Sequence, residues 1–251
     1  MTSPVATAGA AEAPDLSETV NVTTVGFDAD DTLWHNERFF VLTQERFGAL
    51  LADHAPRDHL AERLVAAERR NLHRYGYGIK GFVLSMIETA LEVTEDNVPA
   101  RVIRDILEAG HEMLEHPIEL LPAAREAVEA LAASHHRLIL ITKGDLMDQE
   151  RKLAQSGLGE YFDRIEIVSE KAPGTYARIF AEHGDGAERA MMVGNSVKSD
   201  IRPALEAGAW AVHVPFELTW VLEHAETPER HPRFRALRDL GGLIPLVAEL
   251  G

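Results

Sequence analysis

The chain has 251 residues, 45% of them hydrophobic, enough to bury one full-sized core and a smaller second one. It contains no cysteine, which excludes disulfides, thiolate metal sites and cysteine nucleophiles. Lys and Arg number 25 against 41 Asp and Glu, and the formal net charge of -16 argues against nucleic acid or an anionic membrane surface as a partner.

Residues 1–19 are rich in Ala, Thr, Ser, Pro and acid without a sustained apolar period, and read as a disordered leader. No basic stretch leads into an apolar run there, and no run of about 18 apolar residues occurs later, so a cytoplasmic chain is expected. Val20-Asn21-Val22-Thr23-Thr24-Val25-Gly26-Phe27 reads as the first strand. It runs into Asp28-Ala29-Asp30-Asp31-Thr32-Leu33-Trp34, which sets three carboxylates within four residues.

Residues 36–116 show no strand pattern. Stretches 38–51, 59–74, 78–91 and 98–115 each repeat apolar residues at three- and four-residue spacing, which predicts four helices. A unit of that size placed directly after the first strand reads as a smaller helical cap, because loops at the carboxyl ends of strands surround ligand sites. Beyond it the period alternates. Helices are predicted at 122–133, 146–156, 173–182 and 201–207, and strands at 137–141, 164–168, 190–193 and 210–214. The strands are too apolar to have a solvated face, so the α/β core, built from 20–35 and 117–251, is expected to be a doubly wound, mostly parallel sheet of Rossmann-like form. After residue 217, Pro228 and Pro232 interrupt the pattern before short apolar helices reach Leu250.

Two carboxylates as close as Asp28 and Asp30 raise one another's pKa unless a cation lies between them. Magnesium fits an aspartate-built site completed by a phosphate oxygen, since it takes oxygen ligands at roughly 2.0 to 2.1 Å and keeps some of its waters. With the charge offset, one carboxylate can attack phosphorus and the other can carry a proton. Three further signals fall at strand ends. Thr142-Lys143-Gly144-Asp145 offers a hydroxyl, an ammonium and backbone N–H groups to an anion at a helix start. Lys171 follows the next strand, where it could neutralise a phosphoryl group. Gly194-Asn195-Ser196-Val197-Lys198-Ser199-Asp200 follows the one after, with oxygen ligands at Asn195 and Asp200.

This ordered set resembles the haloacid dehalogenase-like hydrolase superfamily. Asp28-Ala29-Asp30-Asp31-Thr32-Leu33 is similar to its first motif, Ile141-Thr142 to the second, Lys171 with Pro173 to the third, and Gly194 to Asp200 to the fourth. The resemblance implies that Asp28 is the nucleophile that becomes an aspartyl phosphate and that it also binds magnesium. It implies that Asp30 exchanges the proton and offers its backbone carbonyl to the metal, that Thr142 and Lys171 hold phosphoryl oxygens, and that Asp200 completes the metal site. Asn195 departs from the pattern. Phosphatases of the family often carry aspartate there, and the amide keeps an oxygen donor without its charge.

Family dehalogenases lack the second aspartate, so Asp30 favours phosphate chemistry: magnesium-dependent hydrolysis of a small organic phosphomonoester. A phosphomutase on the same intermediate and a noncatalytic phosphate-binding protein are the alternatives. Phosphonate hydrolysis would need a cap lysine, for which Lys80 is the one to test. Trp34 and Asn36 just beyond the first motif, and Arg74 and Lys80 beside the glycines of residues 75–81, are candidates for substrate specificity. No nucleotide-binding glycine loop is present.

Overall fold

The computed structural model describes residues 21–250. The expected leader, residues 1–19, lies outside them. Six strands form one fully parallel sheet in the order β3-β2-β1-β4-β5-β6: β1 Thr24–Phe27, β2 Arg137–Lys143, β3 Arg164–Val168, β4 Ala190–Gly194, β5 Trp210–His213 and β6 Phe234–Ala236. The doubly wound α/β architecture expected from the alternating pattern is present.

Side chains alternate across each strand, and the two faces bury separate cores. Leu138 and Leu140 of β2, with Val25 and Phe27 of β1, face helices α5 (Ala124–Ala133) and α9 (Leu243–Leu250). Ile139 and Ile141, one residue out of phase, face α7 (Pro173–His183) and α8 (Arg202–Glu206). That double burial is why the central strands read as unbroken apolar runs. Helix α6 (Leu146–Ser156) follows β2 and adds Leu153 to the first core.

Helices α1 (Glu37–Leu50), α2 (Arg57–Tyr75), α3 (Ile79–Val93) and α4 (Ala100–Glu115) lie between β1 and β2 in the chain. They carry their own apolar cluster, with Phe47, Leu60, Leu64, Phe82, Met86 and Ile106 buried in it.

Three local differences from the sequence reading matter. β2 continues two residues past Ile141, because Thr142 and Lys143 still pair with Ile167 and Val168 of β3. Thr142 and Lys143 are therefore strand residues, and the turn begins at Gly144, whose φ of 143° suits glycine. β6 was not expected. It is three residues long, follows Pro232, and exists because β5 supplies its hydrogen-bonding partners. The helix expected at 201–207 begins instead with a π-type turn over Val197–Ile201, so α8 is only five residues long.

β1 is the middle of the sheet, with β2 on one side and β4 on the other. The chain winds outward in both directions from that pair of neighbours. A crevice forms at the carboxyl ends of the strands where the winding reverses, and Asp28 is the first residue beyond β1 at that point.

Candidate active site

Asp28 extends the sheet by one bond: its N–H donates to the Val193 carbonyl at 2.9 Å. The chain then turns sharply, with Leu33 N–H donating to Ala29 O at 2.8 Å and Asp31 held at a φ of 61°. Asp31 shapes this turn rather than facing a ligand with free oxygens. Its carboxylate accepts from the Asn36 N–H at 2.8 Å and the Glu37 N–H at 2.9 Å, capping the start of α1.

The strand ends bring Asp28, Lys171 and Asp200 together. Lys171 Nζ donates to Asp28 Oδ1 at 2.5 Å and to Asp200 Oδ1 at 2.7 Å, so the ammonium sits between two carboxylates. Asp200 is also anchored by the Ser196 N–H, 2.9 Å from Oδ2. Gly194 makes this approach possible: a Cβ there would collide with the Asp200 carboxylate. Burial, reinforced by the charge of Asp200, pushes the Asp28 carboxyl up to about 7 against the opposing pull of Lys171. Burial works against the charge on Lys171, but Asp200 and Asp28 outweigh it and hold its pKa above the ordinary lysine value. Thr32 links the first and fourth motifs. Its hydroxyl is 3.0 Å from Asp28 Oδ2 and 3.3 Å from Asn195 Oδ1, and it accepts from the Asn195 N–H at 3.1 Å.

Asp30 faces a different set of donors. Lys152 Nζ lies 3.0 and 3.1 Å from its two oxygens, Gln149 Nε2 donates at 2.8 Å, and the Trp34 indole N–H donates at 2.8 Å. Lys152 also donates to Asn36 Oδ1 at 2.8 Å and pairs with Asp148. Gln149 and Lys152 stand one turn apart on α6, so both reach the same carboxylate. Sequence reasoning missed both. The signal was there in their three-residue spacing just past the second motif, but nothing local pointed them at Asp30, which is more than a hundred residues earlier.

Thr142 is buried, with its hydroxyl directed to the Lys143 carbonyl at 3.3 Å. Lys143 Nζ donates to Ser199 Oγ at 2.7 Å and to Glu223 at 2.9 Å, and lies 4.1 Å from the centre of the Tyr77 ring. Glu223, also missed, comes from the segment after β5 and accepts from Ser196 Oγ at 2.6 Å and from Ser199.

Three expected specificity residues are elsewhere. Trp34 is fully buried and does not line the cavity, because the Asp31 turn folds it under the sheet, where it braces Asp30. Arg74 is exposed on the last turn of α2, away from the cavity. Lys80 turns outward to Asp145, 2.9 Å away, and joins the insert to the core. Asn36 does line the cavity. Tyr77, between Gly76 and Gly78 with φ of 71° and 107°, also crosses the junction: its hydroxyl donates to Glu170 at 2.9 Å.

The cavity these groups share has a volume of about 1130 Å³ including its mouth, and it lies between the strand ends and the insert. Seven carboxyl side chains line it, Asp28, Asp30, Asp31, Glu37, Glu68, Asp200 and Glu223, against three ammonium groups, Lys143, Lys152 and Lys171. Its oxygen donors could hold a hard cation, and its buried carboxylate at Asp28 could act as a nucleophile or a base. Among the described residues no helix is long and apolar enough to cross a membrane.

No curated protein sequence matched the chain. Among solved structures, a haloacid dehalogenase-like family hydrolase of Xanthomonas campestris is 44% identical, covers 92% of each chain and has a TM-score of 0.81. A magnesium-bound Bacillus subtilis protein assigned to the same hydrolases, YfnB, is 18% identical over 90% of this chain and 99% of its own, with a TM-score of 0.63. The 2-haloacid dehalogenase of Pseudomonas syringae is 21% identical over 92% of this chain and 100% of its own, with a TM-score of 0.60. At these last two identities the likeness is one of fold. The family model for the haloacid dehalogenase-like hydrolases matches residues 22–208, a span that begins in front of β1, takes in the insert and ends beyond Asp200. With all four strand-end segments inside that match and a relative 44% identical over nearly the whole chain, the protein belongs to the haloacid dehalogenase-like hydrolases.

Proposed function

We propose that this hydrolase is a magnesium-dependent phosphomonoester hydrolase that works through an aspartyl-phosphate intermediate on a small organic phosphate. One observation carries the choice over dehalogenation: a second carboxylate, Asp30, lines the same cavity as Asp28 and is held there by Lys152, Gln149 and Trp34. Attack on a carbon–halogen bond needs no proton for the departing halide. Cleavage of an alkyl phosphate does need one, because the alkoxide that leaves is a strong base.

The residues fit magnesium. Asp28, Asp200 and the Asn195 amide offer oxygen donors, and the Asp30 carbonyl would be the fourth. No group of three or more Asp, Glu, His or Cys side chains clusters as a metal site among the described residues. The excess of carboxyl over ammonium groups in the cavity also favours a cation as companion to an entering dianionic phosphate. When bound, the ion would neutralise phosphoryl oxygens and draw the substrate to Asp28.

In the first step Asp28 attacks phosphorus, the bond from phosphorus to the ester oxygen breaks, and the departing alkoxide takes a proton from the Asp30 carboxyl group. In the second, Asp30 takes a proton from water as that water attacks the aspartyl phosphate, releasing inorganic phosphate and restoring Asp28. Lys171 holds Asp28 in line, and with Thr142 it binds phosphoryl oxygens. Lys143 adds charge at the same end once it gives up part of its contact with Glu223.

Phosphate release across a panel of phosphomonoesters, with and without magnesium, tests this reading. We expect magnesium-dependent release that falls by more than about 10⁴-fold in Asp28→Asn, with the far-ultraviolet spectrum unchanged. Activity in the variant, or activity indifferent to magnesium, would overturn the mechanism. A rearranged phosphate ester in place of inorganic phosphate would identify a mutase.

A further inference from the structure

The cavity has a second end, made by the insert, where the charge is not balanced. Glu68 of α2 is 8% exposed, lines the cavity and leaves Oε2 without a hydrogen-bond partner. Asn71, one turn on and 2% exposed, spends its amide N–H groups on Ser85 and Glu88 and leaves Oδ1 without a partner. Glu37, at the start of α1, also lines this space, and its carboxyl group makes no hydrogen bond or ion pair among the described residues, while its backbone N–H is bound to Asp31. Among the described residues no lysine or arginine of the insert lines the cavity, and the three ammonium groups that do line it all belong to the α/β core, Lys143 and Lys171 near strand ends and Lys152 on α6, each already held by carboxylates.

We propose that these residues form a cation subsite, and that the phosphate ester this enzyme takes is an amino-alcohol phosphate whose ammonium group binds Glu68, Glu37 and the Asn71 carbonyl. The proposal rests on the phosphatase reading and adds the class of the alcohol. Buried acceptors without partners are costly, and a buried carboxylate without a cation more so, so the site gains most from a ligand that brings both donors and positive charge. An ammonium supplies three N–H donors and charge-assisted bonds about twice as strong as those of a hydroxyl. Phe40, Tyr77, Phe82 and Trp220 wall the space and suit the short alkyl stem.

The electrostatics agree. Burial pushes Glu68 up to about 7, with only the nearby Trp220 N–H working against it. Burial, then Asp31, Glu68, Asp30 and Glu223, push Glu37 up to about 8. Glu37 thus feels both Asp30, beside the reacting phosphate, and Glu68.

The test compares 2-aminoethyl phosphate with its isosteres 2-hydroxyethyl phosphate and propyl phosphate. Hydrolysis is measured with the full-length enzyme and magnesium, and binding by calorimetry with the Asp28→Asn protein. We expect kcat/KM for the ammonium ester to exceed that of each isostere by about tenfold or more, with binding ranked the same way. Glu68→Gln, which keeps the shape, should bring that ratio to within about twofold, and Glu37→Gln should lower it less. Equal hydrolysis of the three esters, or a ratio unchanged in Glu68→Gln, would overturn the subsite and leave the phosphatase reading standing. Selective binding of the ammonium ester without hydrolysis of any would do the reverse. Absence of both binding and turnover would overturn both.

Discussion

The two ends of the cavity are built from the same residue types and handle charge in opposite ways. On the core side, every ammonium lining the cavity is clamped by carboxylates: Lys171 by Asp28 and Asp200, Lys152 of α6 by Asp30 and Asp148, Lys143 by Glu223. At the insert, Glu68 and Glu37 line the cavity with no cation paired to them among the described residues. A paired buried charge is held in one geometry and is ready to act on a substrate atom. An unpaired one is costly until something arrives, which makes it a means of selection.

The sharpest way to break the paired end is to remove its proton carrier. Asp30→Asn should lower turnover of an alkyl phosphate by about 10²- to 10⁴-fold. It should lower that of p-nitrophenyl phosphate much less, because nitrophenolate leaves without a proton. Equal losses on the two esters, read by steady-state kinetics, would show that Asp30 is not the acid.

Next comes Lys171→Met, which leaves Asp28 and Asp200 facing each other across a buried gap. Breaking such an arrangement typically costs about 3–5 kcal/mol. For a chain of this size that is a fall in Tm of roughly 10 °C. Magnesium should recover most of it by taking the place of the lost charge between the two carboxylates. A variant as stable as the parent in chelator would show that the ammonium is not what reconciles them.

The smallest effect belongs to the unpaired end and has the opposite sign. The Glu68 value of about 7 lies above the ordinary 4.5, so the folded chain holds this proton more tightly than the unfolded one. Its contribution to stability is full below about pH 4.5, declines as pH rises through 7 and is constant above that. Glu68→Gln should therefore match the parent in Tm near pH 4.5 and exceed it by several degrees at pH 8, a gain of about 1–2 kcal/mol. A Tm lowered by this substitution at pH 8 would mean that Glu68 already has a partner.

Much of the frame can be read along the chain because it depends on neighbours in sequence. The apolar strands, the helix periods and the residues at the strand ends are all local features, and in a parallel sheet strand ends converge on one edge. β6 escaped because three residues after a proline carry no period; its neighbour β5 makes it a strand. Trp34 was misjudged for a related reason. It lies next to the first motif, but the Asp31 turn decides which way it points, and that turn is held by the N–H groups of Asn36 and Glu37 where α1 begins.

By itself the sequence determined the order of the elements and where Asp28, Asp30, Lys171 and Asp200 would emerge, since each follows a strand whose apolar run is visible. Only the tertiary structure decided which charges meet. Lys152 finds Asp30 across 122 positions of sequence, Lys143 finds Glu223 across 80, and Glu68 finds no cation among the described residues. A strand is specified by a run of neighbouring side chains, but an ion pair depends on two separate segments arriving at one place. The absence of a pair depends on everything else that arrives there.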